Sequence, residues 1–374
     1  MNKKDVLKNL VEIDSGYAFK SSFFNYNFEG IPIIRIRDIN SGIAETYYSG
    51  DYEEKFIVNN DDLLIGMDGN FKIRKWSGGK ALLNQRVCRI KSISNKLSNE
   101  YLYRILPLEL KLIEDKTSFV TVKHLSVKDI NNIELIIPDI DIQNKIVKII
   151  DKSQELIDNR KKQIEELDLL VKSKFIEMFG DPIKNQKNFP LMTVDDVIEF
   201  QGGSQPDKKY FEYKKTDDNI RLIQIRDYKT DAYVTYIPKS MSKRYCSADD
   251  IMIGRYGPPI FQILKGIEGS YNVALLKAMP KMGNKEFIRE FLKQECLFTY
   301  LDGLSQRTAG QSGIDMPKLK AYPFPYPPIK LQNEFEKFIK QVDKLKFEME
   351  KSLKELEDNF NSLMQKAFKG ELFK

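Results

Sequence analysis

The chain is poor in the residues that most catalytic and metal chemistry uses. Among 374 residues it has one histidine, His124, one tryptophan and three cysteines, Cys88, Cys246 and Cys296. One histidine cannot build a histidine-rich metal centre, and it would have to serve as the base of any Ser-His-Asp hydrolase. A lone histidine reads first as a surface or packing residue. Three widely separated cysteines make neither a disulfide framework nor a four-cysteine zinc site, which suits a reducing cytoplasm, the expected location. No apolar run approaches the ~18–20 residues needed to span a bilayer. The start, Met1-Asn2-Lys3-Lys4-Asp5, leads into a charged amphipathic stretch and does not read as a signal peptide. Also missing are a phosphate loop ending in Gly-Lys-Ser/Thr, a Gly-rich methyl-donor loop and an Asn/Asp-Pro-Pro-Tyr/Phe loop for a flipped base. Phe324-Pro325-Tyr326-Pro327-Pro328 has the residues of the last in the wrong order, and Gly202-Gly203-Ser204 and Gly78-Gly79-Lys80 read as turns.

What is present is an ordinary globular composition, 41% hydrophobic and 30% charged, with a net charge of +6. The length suits two or three domains at about 150 residues each. The basic excess is compatible with nucleic-acid binding without requiring it.

Self-comparison is more informative. Ile36-Arg37-Asp38 recurs as Ile225-Arg226-Asp227, and Asp61-Asp62-Leu63-Leu64-Ile65-Gly66 as Asp249-Asp250-Ile251-Met252-Ile253-Gly254, at shifts of 189 and 188. Gly69 matches Gly257, Asn84 matches Asn272, Pro138 matches Pro327, and Gln143-Asn144 matches Gln332-Asn333, all at one or other of those two shifts. A nearly constant offset over more than a hundred positions marks a chain written twice.

Each half has two parts. The first is mixed: β-branched and aromatic runs broken by Gly, Asn and Asp, with helices expected at Asn99 to Leu112 and Lys285 to Leu301. The second is a long helix. Leu331, Phe335, Phe338, Val342, Leu345, Met349, Leu356 and Leu363 lie on a 4-3 heptad seam. The matching seam in the first half runs through Ile142, Ile146, Ile149, Leu156 and Leu167 and weakens after Leu156, where Ile157, Ile164, Val171 and Met178 offer a shifted stripe. Such seams need partners. Pairing with each other as an antiparallel coiled coil is the economical choice; packing of each helix on its own domain is the other. A helix from Ile142 to Phe179 would be about 57 Å long. Residues 141–181 carry 8 basic and 9 acidic side chains and residues 330–374 carry 10 and 9, so the positive excess lies outside the helices.

The expected fold class is therefore α+β: two pseudo-repeated α/β domains separated by two long antiparallel helices forming a coiled coil. Expected boundaries are 1–138, 139–181, 182–327 and 328–374.

Two patterns could carry chemistry. Pro206-Asp207 with Asp227-Tyr228-Lys229 formally fits the acidic-acidic-lysine arrangement of Mg²⁺ nucleases, but the first-half counterpart, Asp38-Ile39-Asn40, lacks the lysine. Arg37-Asp38 and Arg226-Asp227 read as a structural ion pair or turn lock ahead of a base contact.

The order of parts resembles the specificity (S) subunit of type I restriction–modification systems. A Pro-rich entry leads into a Gln-containing helix at Pro138-Asp139-Ile140-Asp141-Ile142-Gln143 and again at Pro327-Pro328-Ile329-Lys330-Leu331-Gln332. The helices end in Met178-Phe179-Gly180-Asp181-Pro182 and Ala367-Phe368-Lys369-Gly370-Glu371-Leu372. The resemblance covers essentially the whole chain. It implies a non-catalytic DNA-recognition subunit with no cofactor or metal of its own. Each α/β region would be a target recognition domain reading one half of a bipartite duplex sequence. The helices would act as spacer and as docking surface for two modification (methyltransferase) subunits, which bring S-adenosylmethionine, and restriction subunits would be further partners.

Candidate DNA contacts are polar and basic residues on loops. In the first half they are Lys20, Ser21, Asn70, Lys72, Arg74, Lys75, Gln85 and Arg86; in the second, Ser204, Gln205, Lys208, Arg255, Tyr256, Arg307 and Gln311. The competing readings are a nuclease or methyltransferase fragment, and a coiled-coil adaptor whose α/β units bind protein.

Overall fold

The computed structural model describes residues 3–116, 123–256, 259–305 and 313–373. The chain forms two compact units, one of residues 1–162 and 351–374, the other of residues 163–350. The division falls inside both long helices, so each unit holds one mixed domain and two helix segments.

In the first unit, a four-stranded antiparallel sheet has the order Val11–Ser15, Val87–Ser92, Leu63–Gly66, Ile73–Lys75. Leu63-Leu64-Ile65-Gly66 is buried at every position, as a short continuous apolar run in a central strand requires. A second, five-stranded sheet holds a parallel pair, Ile31–Ile34 beside Ala81–Leu83. Lys3–Val6 pairs with Glu134–Ile137, and helix Asn99–Lys116 buries Tyr101, Leu102, Ile105, Leu106 and Leu110.

The second unit repeats this plan. Its antiparallel sheet has the order Ile198–Gly202, Leu275–Pro280, Ile251–Gly254, Gln262–Leu264. Its parallel pair is Asn219–Ile223 beside Gly269–Tyr271. Leu191–Thr193 pairs with Pro323–Pro325, so the Phe324-Pro325 decoy is an edge strand. The helix expected from Lys285 to Leu301 is two, Lys285–Leu292 and Glu295–Ser305, with the Gln294 carbonyl receiving the N–H of Phe298 where the chain restarts.

The long helices run Ile140–Phe179 and Ile329–Phe368, 40 residues each, or about 60 Å. Gln143 and Gln332 explain the shared glutamine at their starts. Both side chains are fully buried. Gln143 Nε2 donates to the carbonyls of Pro138 (2.8 Å) and Lys96 (2.6 Å), and its Oε1 accepts the N–H of Ser98 at 2.9 Å. Gln332 Nε2 donates to Pro327 at 2.7 Å and Oε1 accepts from Asn284 N–H at 2.8 Å. One amide thus closes the helix entry and ties it to a domain loop. Each helix stops at a glycine in the left-handed region, Gly180 (φ 76°) and Gly370 (φ 63°).

The helices pair antiparallel within each unit. In the first, Lys161 Nζ meets Glu357 Oε1 at 2.8 Å, while Ile146, Ile150 and Ala367 share the domain core with Phe360 and Met364 packed against it. In the second, Lys346 Nζ meets Asp168 at 2.7 Å, and Phe175 and Phe179 pack on Phe335 and Phe287. Coiled-coil pairing and packing on the domain are both realised, because the helix ends enter the cores.

That double duty shifts the seam. Ile146, Leu167, Phe335 and Val342 are buried as expected, and Ile142, Ile149, Leu331, Phe338, Met349, Leu356 and Leu363 are half-buried. Leu156 and Leu345 are exposed, against expectation. Ile150, Ile157, Val171 and Phe175 take the inner face of the first helix, and Lys346 fills the position beside Leu345. Leu156 lies about 100° round the helix from Ile157. A heptad read in one register marks one side of an apolar face that a helix serving two partners must make wider.

Candidate nucleic-acid interface

The loops that carry exposed polar residues are built on one backbone scaffold in both units. Gly16 N–H donates to the Val87 carbonyl at 3.0 Å, and Gly203 N–H donates to Leu275 at 3.1 Å. A Cβ on Gly16 would lie 1.9 Å from the Asn84 carbonyl oxygen, and one on Gly203 1.9 Å from that of Asn272. Only glycine lets these strands pass so closely. The same carbonyl-bearing asparagines, Asn84 and Asn272, head the loops Asn84-Gln85-Arg86 and Asn272-Val273-Ala274.

A second shared feature stands beside it. Met67 N–H donates to the Arg86 carbonyl (2.9 Å), and Arg255 N–H donates to the Ala274 carbonyl (2.9 Å). Asp68 bridges to His124 as Tyr256 bridges to Gly313. Three loop segments therefore meet in each unit: the end of a central strand, the turn before the next, and a later segment laid against the first.

In the first unit Gln85 and Arg86 on this junction are exposed, as are Asn70 and Lys72 beyond it. Two residues that sequence reasoning had not counted as contacts join them. Asp68, its side chain 10% exposed, holds the guanidinium of Arg86 through one oxygen and, through the other, His124 Nδ1 at 2.7 Å. Burial pushes the Asp68 carboxyl up, but hydrogen bonds and charge from His124 and Arg86 more than offset this and leave it below the ordinary range. The carboxylate has no proton to give, so Nδ1–H donates and Nε2 is the imidazole's outward nitrogen. Arg86 itself sits at φ 68°, a left-handed conformation unusual for a side chain of that size. The repeat offset could have flagged this cluster: the backbone pairing recurs while its side chains become Tyr256, Ala274 and Gly313.

The other candidates sit apart. Lys20 and Ser21 are exposed on the turn before strand Phe24–Asn25. Arg74 donates from Nε to the Ile39 carbonyl (2.5 Å) and from a terminal nitrogen to Asn40 (2.6 Å), closing the short helix Asp38–Ser41. Lys75 is paired with Glu100 at 2.7 Å and Asp61 at 3.3 Å. In the second unit Ser204 is half-buried, with its N–H on the Tyr271 carbonyl at 3.0 Å, while Gln205 and Lys208 are exposed. Arg255 lies over the ring of Tyr256, 5.3 Å from its centroid. Arg307 and Gln311 lie outside the described residues.

The acidic residues are structural. Asp38 and Asp227 are 2% and 4% exposed; each accepts a backbone N–H three residues back, from Arg35 at 2.8 Å and Gln224 at 3.2 Å. Burial pushes both carboxyls above the ordinary range, with the backbone donors and neighbouring arginines offsetting only part of it. Asp207 caps the turn Lys208–Tyr210 by accepting from Lys209 N–H. The nuclease-like pattern is thus a pair of turn locks. Among the described residues no three His, Cys, Asp or Glu side chains are grouped to hold a metal ion, and no helix is long and apolar enough to cross a membrane.

The comparisons with known proteins agree with this duplicated architecture. A family model described as the type I restriction modification DNA specificity domain matches the chain twice, over residues 3–169 and 186–358. The chain belongs to that family. Among curated relatives of this specificity family, the type I restriction enzyme EcoBI specificity subunit of Escherichia coli is 28% identical over 415 aligned positions, covering 98% of this chain and 85% of that protein. The MjaVIII specificity subunit of Methanocaldococcus jannaschii is 22% identical, covering 91% and 86%. The fold matches the crystal structure of a type I S subunit from M. genitalium, with a TM-score of 0.54 and 15% identity over 98% of this chain and 96% of that one. It also matches a chain solved in a study of complex assembly and conformational transition of the type I R-M system, with TM-score 0.60 and 15% identity over 99% and 98%. As a type I specificity subunit, the chain is a DNA-recognition subunit, and its role is non-catalytic. Neither the nuclease or methyltransferase-fragment reading nor the protein-binding adaptor reading is favoured.

Proposed function

We propose that the two mixed domains are target recognition domains, bounded at residues 1–138 and 182–327, and that each reads one half of a bipartite duplex sequence. The helices, 139–181 and 328–374, set the unspecified spacer between the halves and dock two methyltransferase subunits, with restriction subunits joining the complex. The observation that carries this reading is the shared loop scaffold, which presents different side chains in each copy: Asp68, Arg86 and His124 in one, Tyr256, Ala274 and Gly313 in the other. Two copies of one reader with different contact residues suit a target with two different halves. The exposed apolar residues Leu156, Leu169 and Leu170 on the first helix and Leu345 and Phe347 on the second supply surface for a partner. A complex that works on chromosomal DNA belongs in the cytoplasm.

The spacer role has a direct test. Inserting four residues after Leu156 adds about 6 Å of helix, roughly two base pairs of length, and returns the apolar face nearly to register. The expected motif, mapped by methylome sequencing of a host carrying the variant and its modification subunits, keeps both halves and changes the spacer. A two-residue insertion turns the face by about 200° and gives an unstable protein. An unchanged spacer after the four-residue insertion would assign the distance to something other than the helices.

A further inference from the structure

We propose that Asp68 is a positioning residue that presents Arg86 and His124 side by side to the base edges of duplex DNA, and that this station makes reading of one half of the target pH-dependent. The inference rests on the recognition reading above and deepens it by naming the residues, their chemistry and the controlling variable.

Three observations carry it. The first is a division of exposure: Asp68 is largely covered while Arg86 and His124 are 62% and 63% exposed at the side chain. One carboxylate fixes two outward donors, so neither pays much rotamer entropy when it meets a ligand. The second is the left-handed backbone of Arg86, held by the Met67 N–H on its carbonyl and by the Asp68 pair. A strained residue that the surroundings over-determine is a mark of a site rather than of a loop. The third is the repeat: the second unit keeps the backbone pairing and replaces every side chain of the station. A structural ion pair would travel with its scaffold; a reading residue would not.

The chemistry selects acceptors. A guanidinium presents paired N–H donors that match the O6 and N7 acceptors of guanine in the major groove. With Nδ1–H committed to Asp68, the outward Nε2 of His124 carries a hydrogen only when the ring is protonated. Imidazole changes charge between about pH 5 and 8. Protonated His124 donates beside Arg86; neutral His124 offers a lone pair to the same acceptors and repels them. The charged groups facing His124 are Asp68 from the strand-end loop, Asp129 from helix Val127–Asn131, and Arg86 across the shared carboxylate. Neighbouring Lys123 turns its ammonium to the Glu114 carbonyl, at 2.6 Å. Loss of the ring proton removes the outward donor, so affinity for this half falls as pH rises. The second unit's counterparts, Tyr256, Ala274 and Gly313, include no imidazole.

The test uses the full chain assembled with its modification subunits and a library of random-sequence duplexes, bound at pH 6 and pH 8 and sequenced. The wild-type complex should enrich a bipartite motif, and affinity for the winning duplex should drop on the order of tenfold from pH 6 to pH 8. His124→Gln should flatten that pH response. Arg86→Lys keeps the charge, loses the paired donors and should relax base choice at one or two adjacent positions in one half, about tenfold. Asp68→Asn should do both, with the other half of the motif unchanged. Arg86 and His124 are exposed, so their variants should melt as wild type does, and they carry the test if Asp68→Asn folds poorly. A bipartite wild-type motif with the same base choice and pH profile in all three variants would overturn the station while leaving the recognition function standing, as would a weakening that is uniform across sequences. If the wild-type complex enriches no bipartite motif, the recognition reading fails, and the station with it.

Discussion

The two recognition units share their skeleton and differ in their surface. Both pass a glycine against an asparagine carbonyl, both hold a parallel strand pair, both lock a turn with a buried aspartate, and both close a helix entry with a buried glutamine. Yet the loop junction of the first unit carries an aspartate holding an arginine and a histidine, and that of the second carries an arginine lying over a tyrosine. Backbone-determined features are retained because a single atom out of place breaks them. Exposed side chains are free to diverge, and divergence there is what two different half-sites require.

The comparison breaks first at the glycines. Gly16→Ala and Gly203→Ala should each cost more than about 3 kcal/mol, since a Cβ would overlap the carbonyl oxygen of Asn84 or Asn272. Chemical denaturation of both variants checks this; a large loss in one and none in the other would show that the scaffolds are not equivalent. The helix entries come next. Gln143→Ala strands three backbone groups and Gln332→Ala strands two, so losses of about 2–3 kcal/mol are expected, larger for Gln143. Equal or negligible losses would mean that solvent replaces the amide.

The smallest effect concerns the buried aspartates. Because burial raises the Asp38 and Asp227 carboxyls, the folded state holds their protons more tightly than the unfolded chain does. That contribution is fully present below the unfolded carboxylate range and is lost as pH rises through the raised folded values. Asp38→Asn keeps an acceptor for Arg35 N–H and removes the titration, so it should flatten that part of the stability–pH curve; unfolding midpoints across the acidic range show the slope. An unaltered slope would mean Asp38 contributes nothing to it.

Much of this organisation was legible in the sequence, and the reason is periodicity. The offset linking Asp61-Asp62-Leu63-Leu64-Ile65-Gly66 to its copy reports paired strands, and the glutamine after each Pro-rich entry reports a cap whose role the fold then explains. The seam was legible in length and direction and only partly in register: Ile157 and Val171 of the shifted stripe are buried, while Leu156 and Leu345 face outward. Periodicity shows that a face is apolar, not which side of it a second partner will use. Of the candidate loop residues, Asn70, Lys72, Gln85 and Arg86 are exposed, whereas Arg74 and Lys75 are spent on carbonyls and carboxylates. His124 and Asp68 lie 56 residues apart, and only the tertiary fold brings them together.

The most direct measurement is a half exchange. Residues 1–137 are replaced by the matching region of another family member, the chimera is expressed with the modification subunits, and the methylated motif is mapped. The expected motif has one half replaced, the other half intact and the spacer unchanged. A motif altered in both halves would contradict independent reading by the two units.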